Sequence, residues 1–150
     1  MPSANAPLSV SLPGTWELLS RIDVAESGEQ RAEPSLGSDP VALLIYDRAG
    51  HFAVQFMKRD RSDPGAPEVA SAGSNNSRAV GGYDAYFGTY TVDDATNTVT
   101  QRLLASLARE NVGLLLGREM TVTGDQLVIR LQTVVDGEPV MRTLTWRRVG

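Results

Sequence analysis

The fold is decided by Gly14-Thr15-Trp16-Glu17-Leu18, near one end of the chain, and by Leu144-Thr145-Trp146-Arg147-Arg148-Val149 at the other. In both stretches side chains alternate between apolar and polar positions, as in a strand with one buried face. A glycine two residues before a tryptophan in the first strand, matched by a tryptophan and arginines in the last, predicts a sheet that closes on itself. A closed sheet has an interior, and the contents of that interior bear on function.

Between these ends the chain consists of short strands separated by turn residues. Glycine, asparagine and aspartate, which tolerate positive φ, mark turns at 47–50, 93–97, 123–125 and 136–138. Eight strands joined in sequence predict an all-β fold, an eight-stranded antiparallel up-and-down barrel over residues 13–150. Residues 1–12 are rich in Pro, Ser and Ala and are predicted to form a flexible N-terminal segment. The predicted strands lie near 14–24, 41–47, 51–58, 83–92, 98–107, 114–122, 126–135 and 139–148.

Two long polar stretches interrupt the strands, at 25–40 and 59–82. The second is predicted to be a partly helical or irregular loop, with helical turns limited to 66–72 and 77–80. Loops of this length in a small domain are typical of lids and binding loops. The strand at 41–47 is apolar on both faces, which predicts that one of the two loops covers its outer side.

Composition excludes several classes of function. The net charge is −4 and the pI about 4.9, which argues against nucleic acid or an anionic membrane as the main partner. The chain has no cysteine and one histidine, so disulfides, thiolate metal sites and multi-histidine metal sites are excluded. We therefore predict no metal and no cofactor. The absence of a signal-like start and of a long apolar run predicts a cytoplasmic protein. The sequence leaves open whether it is a monomer or a homodimer.

Strand alternation predicts which side chains face inward. In 126–135 these are Leu127, Ile129 and Leu131, and 83–92 turns Asp84, Tyr86, Gly88 and Tyr90 to one side. Strand 51–58 has two interpretations: a plain core turns its phenylalanines inward, whereas a ligand cavity turns Gln55 and Met57 inward. Two further strands have predicted inward faces, Trp16, Leu18, Ser20, Ile22 and Val24 in 14–24, and Val140, Arg142, Leu144 and Trp146 in 139–148.

Several segments together resemble the bacterial and fungal lipocalin-like domain family. They are the Gly14-Thr15-Trp16 opening, Asp39–Tyr46, Gly50–Arg59, Tyr83–Asp93 and the closing Leu144–Val149. The resemblance covers most of residues 13–149 and implies a small calycin-type barrel. It also implies that an arginine from the last strand, here Arg148, stacks on Trp16 and closes the base of the barrel, a cation–π contact worth about 0.5–2 kcal/mol.

Some members of the family occur in natural-product pathways, where related barrels hold or cyclise hydrophobic intermediates. This chain departs from the family pattern at Thr100-Gln101-Arg102, where a histidine is frequent, and at 109–113, which lacks the usual Pro-Asn-Trp-like corner. The first departure puts in doubt any family chemistry that needs that histidine.

The candidate site residues are those whose polar groups suit a pocket wall or proton transfer. The lone histidine, His51, is either an exposed strand-end residue or a general acid–base group at the barrel mouth. Asp84 and Tyr86 are the other candidate catalytic residues. The candidate ligand-binding residues are Tyr46, Gln55, Met57, Tyr86, Tyr90, Gln101, Met120 and Trp146.

Three functions remain open from the sequence. The first is a barrel that binds a small hydrophobic molecule, such as a natural-product intermediate. The second is a cofactor-independent cyclase or isomerase that acts on a hydrophobic metabolite. The third is a filled barrel whose surface binds a protein. A polar-anchored internal cavity favours the first two, and a fully plugged interior favours the third.

Overall fold

The strands lie where the turn residues predict them. The computed structural model describes residues 6–31, 33–37, 39–60 and 75–150, and within these it contains nine strands. Eight match the predicted strands to within one residue at each end, and the ninth is a two-residue strand beside the first. In chain order they are β1 (Gly14–Ala25), β2 (Gln30–Arg31), β3 (Val41–Tyr46), β4 (His51–Met57), β5 (Tyr83–Asp93), β6 (Thr98–Ser106), β7 (Leu115–Thr123), β8 (Gln126–Val135) and β9 (Glu138–Arg148).

The sheet closes into the predicted eight-stranded antiparallel barrel. From β3 to β9 each strand pairs with the next, β1 pairs with β3, and β2 extends beside β1. The closing seam joins β1 to β9, from Trp16 opposite Arg148 to Ala25 opposite Val140. Closure leaves the eight long strands with a neighbour on both sides.

The hairpin turns depend on residues that adopt positive φ. Asp136 (φ 50°) and Gly137 (φ 79°) form the two-residue link between β8 and β9, the left-handed pair that a type I′ turn requires. Asn97 (φ 54°) ends the β5–β6 turn in the same conformation. The predicted turns at 47–50, 93–97 and 123–125 are also confirmed.

The long loops behave differently from one another. In the first loop, Glu33 and Leu36 are buried, so its second half folds onto the barrel. In the second, residues 61–74, with the predicted helical turn at 66–72, lie outside the described residues. The helical turn predicted at 77–80 is wrong, because this segment is extended and Val80 forms a β-bridge with Tyr83.

Strand β4 turns its phenylalanines into the barrel. Phe52 and Phe56 are buried, whereas Gln55 is exposed and Met57 half-buried on the outer face. The interior position predicted for Gln55 and Met57 in the ligand-cavity interpretation is therefore wrong. Burial of two aromatic side chains outweighs burial of an amide, which needs hydrogen-bond partners inside; on the outer face Gln55 accepts a hydrogen bond from the Tyr83 hydroxyl.

The outer face of β3 is apolar and uncovered among the described residues. Val41, Leu43 and Ile45 keep 43%, 46% and 41% of their surface exposed. The cover predicted from the apolar character of both faces of this strand is therefore not found within the described ranges.

Tryptophan and arginine come together at one end of the barrel. The Arg148 guanidinium lies 4.3 Å from the centroid of the Trp16 ring. It also donates to the Pro13 carbonyl at 3.0 Å and to the Ser11 carbonyl, while Trp16 Nε1 donates to the Leu12 carbonyl at 3.0 Å. Arg148 thus fastens the segment before β1 to the last strand.

A short helix, α1 (Leu8–Ser11), covers this closed end. Leu8 and Leu12 keep only 4% and 0% of their surface exposed, and Ser9 donates two hydrogen bonds to Asp94 of the β5–β6 turn. For residues 8–12 the predicted flexible segment is therefore wrong, because two leucines in it belong to the core. Residues 1–5 lie outside the described residues.

Replacing Arg148 with methionine is expected to lower the free energy of unfolding by about 2 kcal/mol, through loss of the cation–π contact and the carbonyl bonds. The neighbouring Arg147 is the control: it pairs with Glu17 on the exposed surface, with 56% of its side chain exposed. Its change to methionine should cost less than about 1 kcal/mol. Urea denaturation of both variants measures the difference, and equal losses would contradict a special role for Arg148.

A bulge in β1 changes which residues face inward. Its pairing with β9 shifts between Leu18 and Ser20, and an extra residue in one strand reverses the facing beyond it. Past the bulge Arg21 and Asp23 are buried, and Ile22 is exposed. The predicted inward face of 14–24, with Ile22 and Val24, is therefore wrong beyond the bulge, and two charged residues enter the interior.

Candidate functional site

The half of the barrel away from α1 contains an internal cavity of about 70 Å³. Its walls come from the barrel strands, and residues 33–36 and 76–79 cover it. Asn111 holds the second cover in place: its side chain accepts from the Arg78 amide at 3.0 Å and donates to the Arg78 carbonyl at 3.1 Å. The apolar part of the lining consists of Leu36, Leu44, Val54, Phe56, Ala79, Ile129, Leu131, Val134, Val135, Leu144 and Trp146.

Four predicted site residues line this cavity: Asp84, Tyr86, Gln101 and Trp146. They meet because β5, β6 and β9 each turn an alternating residue inward at this level. All four keep less than a tenth of their surface exposed. The structure thus brings together the predicted Asp84–Tyr86 pair and two of the predicted ligand-binding residues.

Two other predicted ligand-binding residues, Tyr46 and Met120, are not among the residues that line the cavity. The Tyr46 hydroxyl accepts a hydrogen bond from Gln101 Nε2 at 2.6 Å and contacts Met120 Sδ at 3.9 Å. Burial raises the pKa of Tyr46 far above its ordinary value. Tyr46 therefore orients Gln101, and neither Tyr46 nor Met120 lines the cavity.

His51 and Tyr90 are at the opposite end of the barrel. The His51 side chain is 62% exposed, and its Nδ1 lies 3.6 Å from Asp47 Oδ2. Asp47 directly follows Tyr46, which pairs with Gly14 at the start of β1, so His51 is at the closed end of the barrel. Tyr90 donates its hydroxyl proton to the Asp47 carbonyl at 2.5 Å. The mouth position predicted for His51 in its catalytic interpretation is wrong, and the exposed strand-end interpretation describes it.

Buried charges are the main feature that sequence reasoning missed. Arg142 binds Asp23 with two hydrogen bonds, at 2.7 and 2.9 Å, and Arg21 pairs with Glu33 at 3.3 Å. The alternation of apolar and polar residues in β9 predicts the inward position of Arg142. Arg21 and Asp23 turn inward only because of the β1 bulge, and nothing local marks Glu33.

A third arginine, Arg118, also lines the cavity and is 6% exposed. Its Nη1 donates to the Asn75 carbonyl at 2.9 Å, to Asn75 Oδ1 at 3.1 Å and to the Gly117 carbonyl at 3.0 Å. Desolvation lowers the pKa of Arg118, and interaction with Tyr86 opposes this. Its position between Leu116 and Met120 in β7 is an alternation signal that could have identified it.

The buried polar atoms of the lining that have no hydrogen-bond partner among the described residues include Trp146 Nε1, Gln101 Oε1 and Asp84 Oδ1. A buried polar group without a partner costs about 1–3 kcal/mol. One donor and two acceptors thus remain available to a molecule in the cavity.

Asp84 has the most altered acid–base chemistry of these groups. Burial raises its pKa to about 6, opposed by the hydrogen bond that Ser77 Oγ donates to Oδ2 at 2.5 Å and by Arg21. Burial, with the Asp84 charge, raises the pKa of the adjacent Tyr86 to about 12. A carboxyl with a pKa near 6 can accept and return a proton close to neutral pH.

The pKa of Asp84 predicts a pH-dependent stability difference between the native protein and Asp84→Asn. An unfolded carboxyl titrates near 3.8 and the folded one near 6, so between these pH values the folded state binds more protons. The free energy of unfolding of the native protein should therefore fall, relative to Asp84→Asn, by about 2 kcal/mol from pH 4 to pH 7. Urea denaturation across this range measures it. Parallel pH curves for the two proteins would contradict the assignment.

Among the described residues, no group of three or more His, Asp and Glu side chains could hold a metal ion. None of their helices is long and apolar enough to cross a membrane.

A closed antiparallel barrel with a lined interior cavity has the architecture of a calycin-type ligand-binding domain. The model of a family described as "Lipocalin-like domain" matches residues 13–149. The chain belongs to this lipocalin-like domain family. No curated protein matches the chain.

Proposed function

We propose that the protein binds a small molecule in the barrel cavity, with the polar part of the ligand at Trp146, Gln101 and Asp84. The observation that carries the proposal is the convergence of three unpartnered buried polar atoms on one cavity. A ligand that offers an acceptor to Trp146 and a donor to Gln101 removes the cost of leaving these atoms unpaired. Polar groups that fix the orientation of a ligand beside apolar wall residues are typical of a ligand site.

The cavity also limits the ligand. Its volume of about 70 Å³ is well below the roughly 300–1,000 Å³ of pockets for drug-sized molecules. Six of the eleven polar residues that line it are of charged types, which does not suit a purely hydrocarbon ligand. We therefore propose a compact molecule with an apolar body and a polar end, and a small natural-product intermediate meets that description.

Binding is tested by calorimetric titration with compact neutral probes, such as benzyl alcohol and benzamide. Gln101→Leu removes one acceptor and Trp146→Phe one donor, and each should weaken binding by about tenfold, the equivalent of one hydrogen bond. Gln132→Leu is the matched control, since Gln132 is an exposed glutamine of β8. Absence of binding by the native protein, or equal affinities in all four proteins, would contradict the proposal.

The second candidate is a cofactor-independent isomerase or cyclase, favoured by the position of Asp84 beside Tyr86 in the cavity. Asp84 would take a proton from one atom of the substrate and return it to another, with the Tyr86 hydroxyl as hydrogen-bond donor to the charge that develops. Product analysis distinguishes the two functions. Recovery of every bound compound unchanged supports binding alone, whereas turnover that is lost in Asp84→Asn with binding retained supports the enzyme.

A further inference from the structure

We propose that the ligand is an organic monoanion, a carboxylate whose oxygens bind the Arg118 guanidinium. The inference rests on the proposed function, because it names the chemical class that the same cavity takes. The evidence for this inference is the set of charged side chains that are buried inside the barrel.

The cavity end of the barrel encloses three arginines, and two of them have carboxylate partners. Arg142 is held by Asp23, and Arg21 by Glu33, with every one of these side chains 6% exposed or less. Arg118 makes no ion pair with a carboxylate in the described ranges, although its exposed fraction of 6% lies between those of Arg142 and Arg21. One positive charge is therefore left without a counter-charge in direct contact.

The geometry of Arg118 leaves it suited to an anion. Its three hydrogen bonds to the oxygens of Asn75 and Gly117 all leave from Nη1, which anchors the guanidinium at the wall. These partners are neutral, so they position the cation without cancelling its charge. Because Arg118 also lines the cavity beside Tyr86, a carboxylate placed there gains a charge-assisted hydrogen bond in a poorly solvated site.

Asp84 sets the condition under which this site takes an anion. Its Oδ1 has no partner among the described residues, and the charged or titratable groups around it are Arg21, Arg118 and Tyr86. Since burial raises its pKa to about 6, the Asp84 carboxyl is mostly neutral below that pH, and its O–H group can donate a hydrogen bond to a ligand oxygen. Above it, the carboxylate repels an anionic ligand. A singly charged ligand balances one free cation, which favours a carboxylate over a doubly charged phosphate.

The test compares carboxylates with their primary amides, which have nearly the same shape and no charge. Butyrate, hexanoate and benzoate are titrated against butyramide, hexanamide and benzamide at pH 5.5 and pH 8. At pH 5.5 the native protein should bind at least one carboxylate about tenfold more tightly than its amide, a difference typical of one charge-assisted hydrogen bond. That preference should shrink at pH 8, and it should be independent of pH in Asp84→Asn.

Arg118→Met should abolish the preference for the carboxylate, whereas Arg102→Met, which removes an exposed arginine of β6, should leave it unchanged. The comparison of probes in the native protein needs no variant, so it stands even if Arg118→Met does not fold. Amides bound as tightly as carboxylates would overturn this inference and leave the proposed function intact. Failure of both series to bind would overturn the two together.

Discussion

Replacing Asp23 with alanine is expected to lower the free energy of unfolding by about 3–5 kcal/mol, because it leaves Arg142 charged and uncompensated inside the barrel. The two side chains are 2% and 4% exposed and share two short hydrogen bonds. They lie opposite each other on β1 and β9, so the pair crosses the seam that closes the barrel. Chemical denaturation of the native protein and the variant measures the loss.

The same seam supplies the control. Glu17 and Arg147 also face each other across β1 and β9, but their side chains are 48% and 56% exposed. Glu17→Ala should therefore cost less than about 1 kcal/mol, as exposed ion pairs do. A similar loss in the two single variants would contradict the importance of burial.

A double variant separates the cost of an orphaned charge from the value of the pair. Asp23→Leu with Arg142→Met replaces both charges by apolar groups, and buried pairs replaced in this way often lose little stability. We expect the double variant to be more stable than Asp23→Ala. If it is less stable, the pair itself stabilises the fold through its hydrogen bonds.

Replacing Gly88 with alanine is expected to destabilise the protein by about 3 kcal/mol or more, at or above the upper end of overpacking effects. A Cβ atom at this position would lie 1.7 Å from the Arg102 carbonyl oxygen and 2.9 Å from its carbon. These are backbone atoms of β6, so no side-chain rotation relieves the clash. The strands would have to move apart beside β5 residues that line the cavity.

Gly117→Ala is the matched control, since it is also a strand glycine. A Cβ atom there meets only Asn75 Oδ1, at 4.0 Å, an ordinary contact distance. Thermal and urea denaturation should show little change for this variant and a large loss for Gly88→Ala. Comparable stability of the two variants would show that β5 and β6 separate easily.

Local patterns were sufficient for the architecture of this protein. Turn residues such as Asp136-Gly137 delimit the strands, and alternation in β8 and β9 identified their inward faces because each strand alternates in a regular way. The strand order then required only that neighbours in the chain pair. The family resemblance added the contact between Trp16 and Arg148.

The candidate site was only partly predictable. Asp84, Tyr86, Gln101 and Trp146 lie on regularly alternating strands, and the structure brings them together around the cavity. For Gln55 and His51 the sequence leaves two positions open, and their polar chemistry favours the cavity or its mouth, but both are on the outside. Polar residue types suited to a pocket are equally suited to solvent, so type without facing does not locate a residue.

By itself, the sequence determined the eight strands, their order and the closure of the barrel, because these depend on period-two alternation and on turns of a few residues. Tertiary structure alone decided the charged character of the interior. The bulge that turns Arg21 and Asp23 inward arises from the pairing of β1 with β9, more than 100 residues away in the chain, and Glu33 reaches Arg21 only when its loop folds over the mouth. Such features depend on contacts between distant segments, and no local pattern records them.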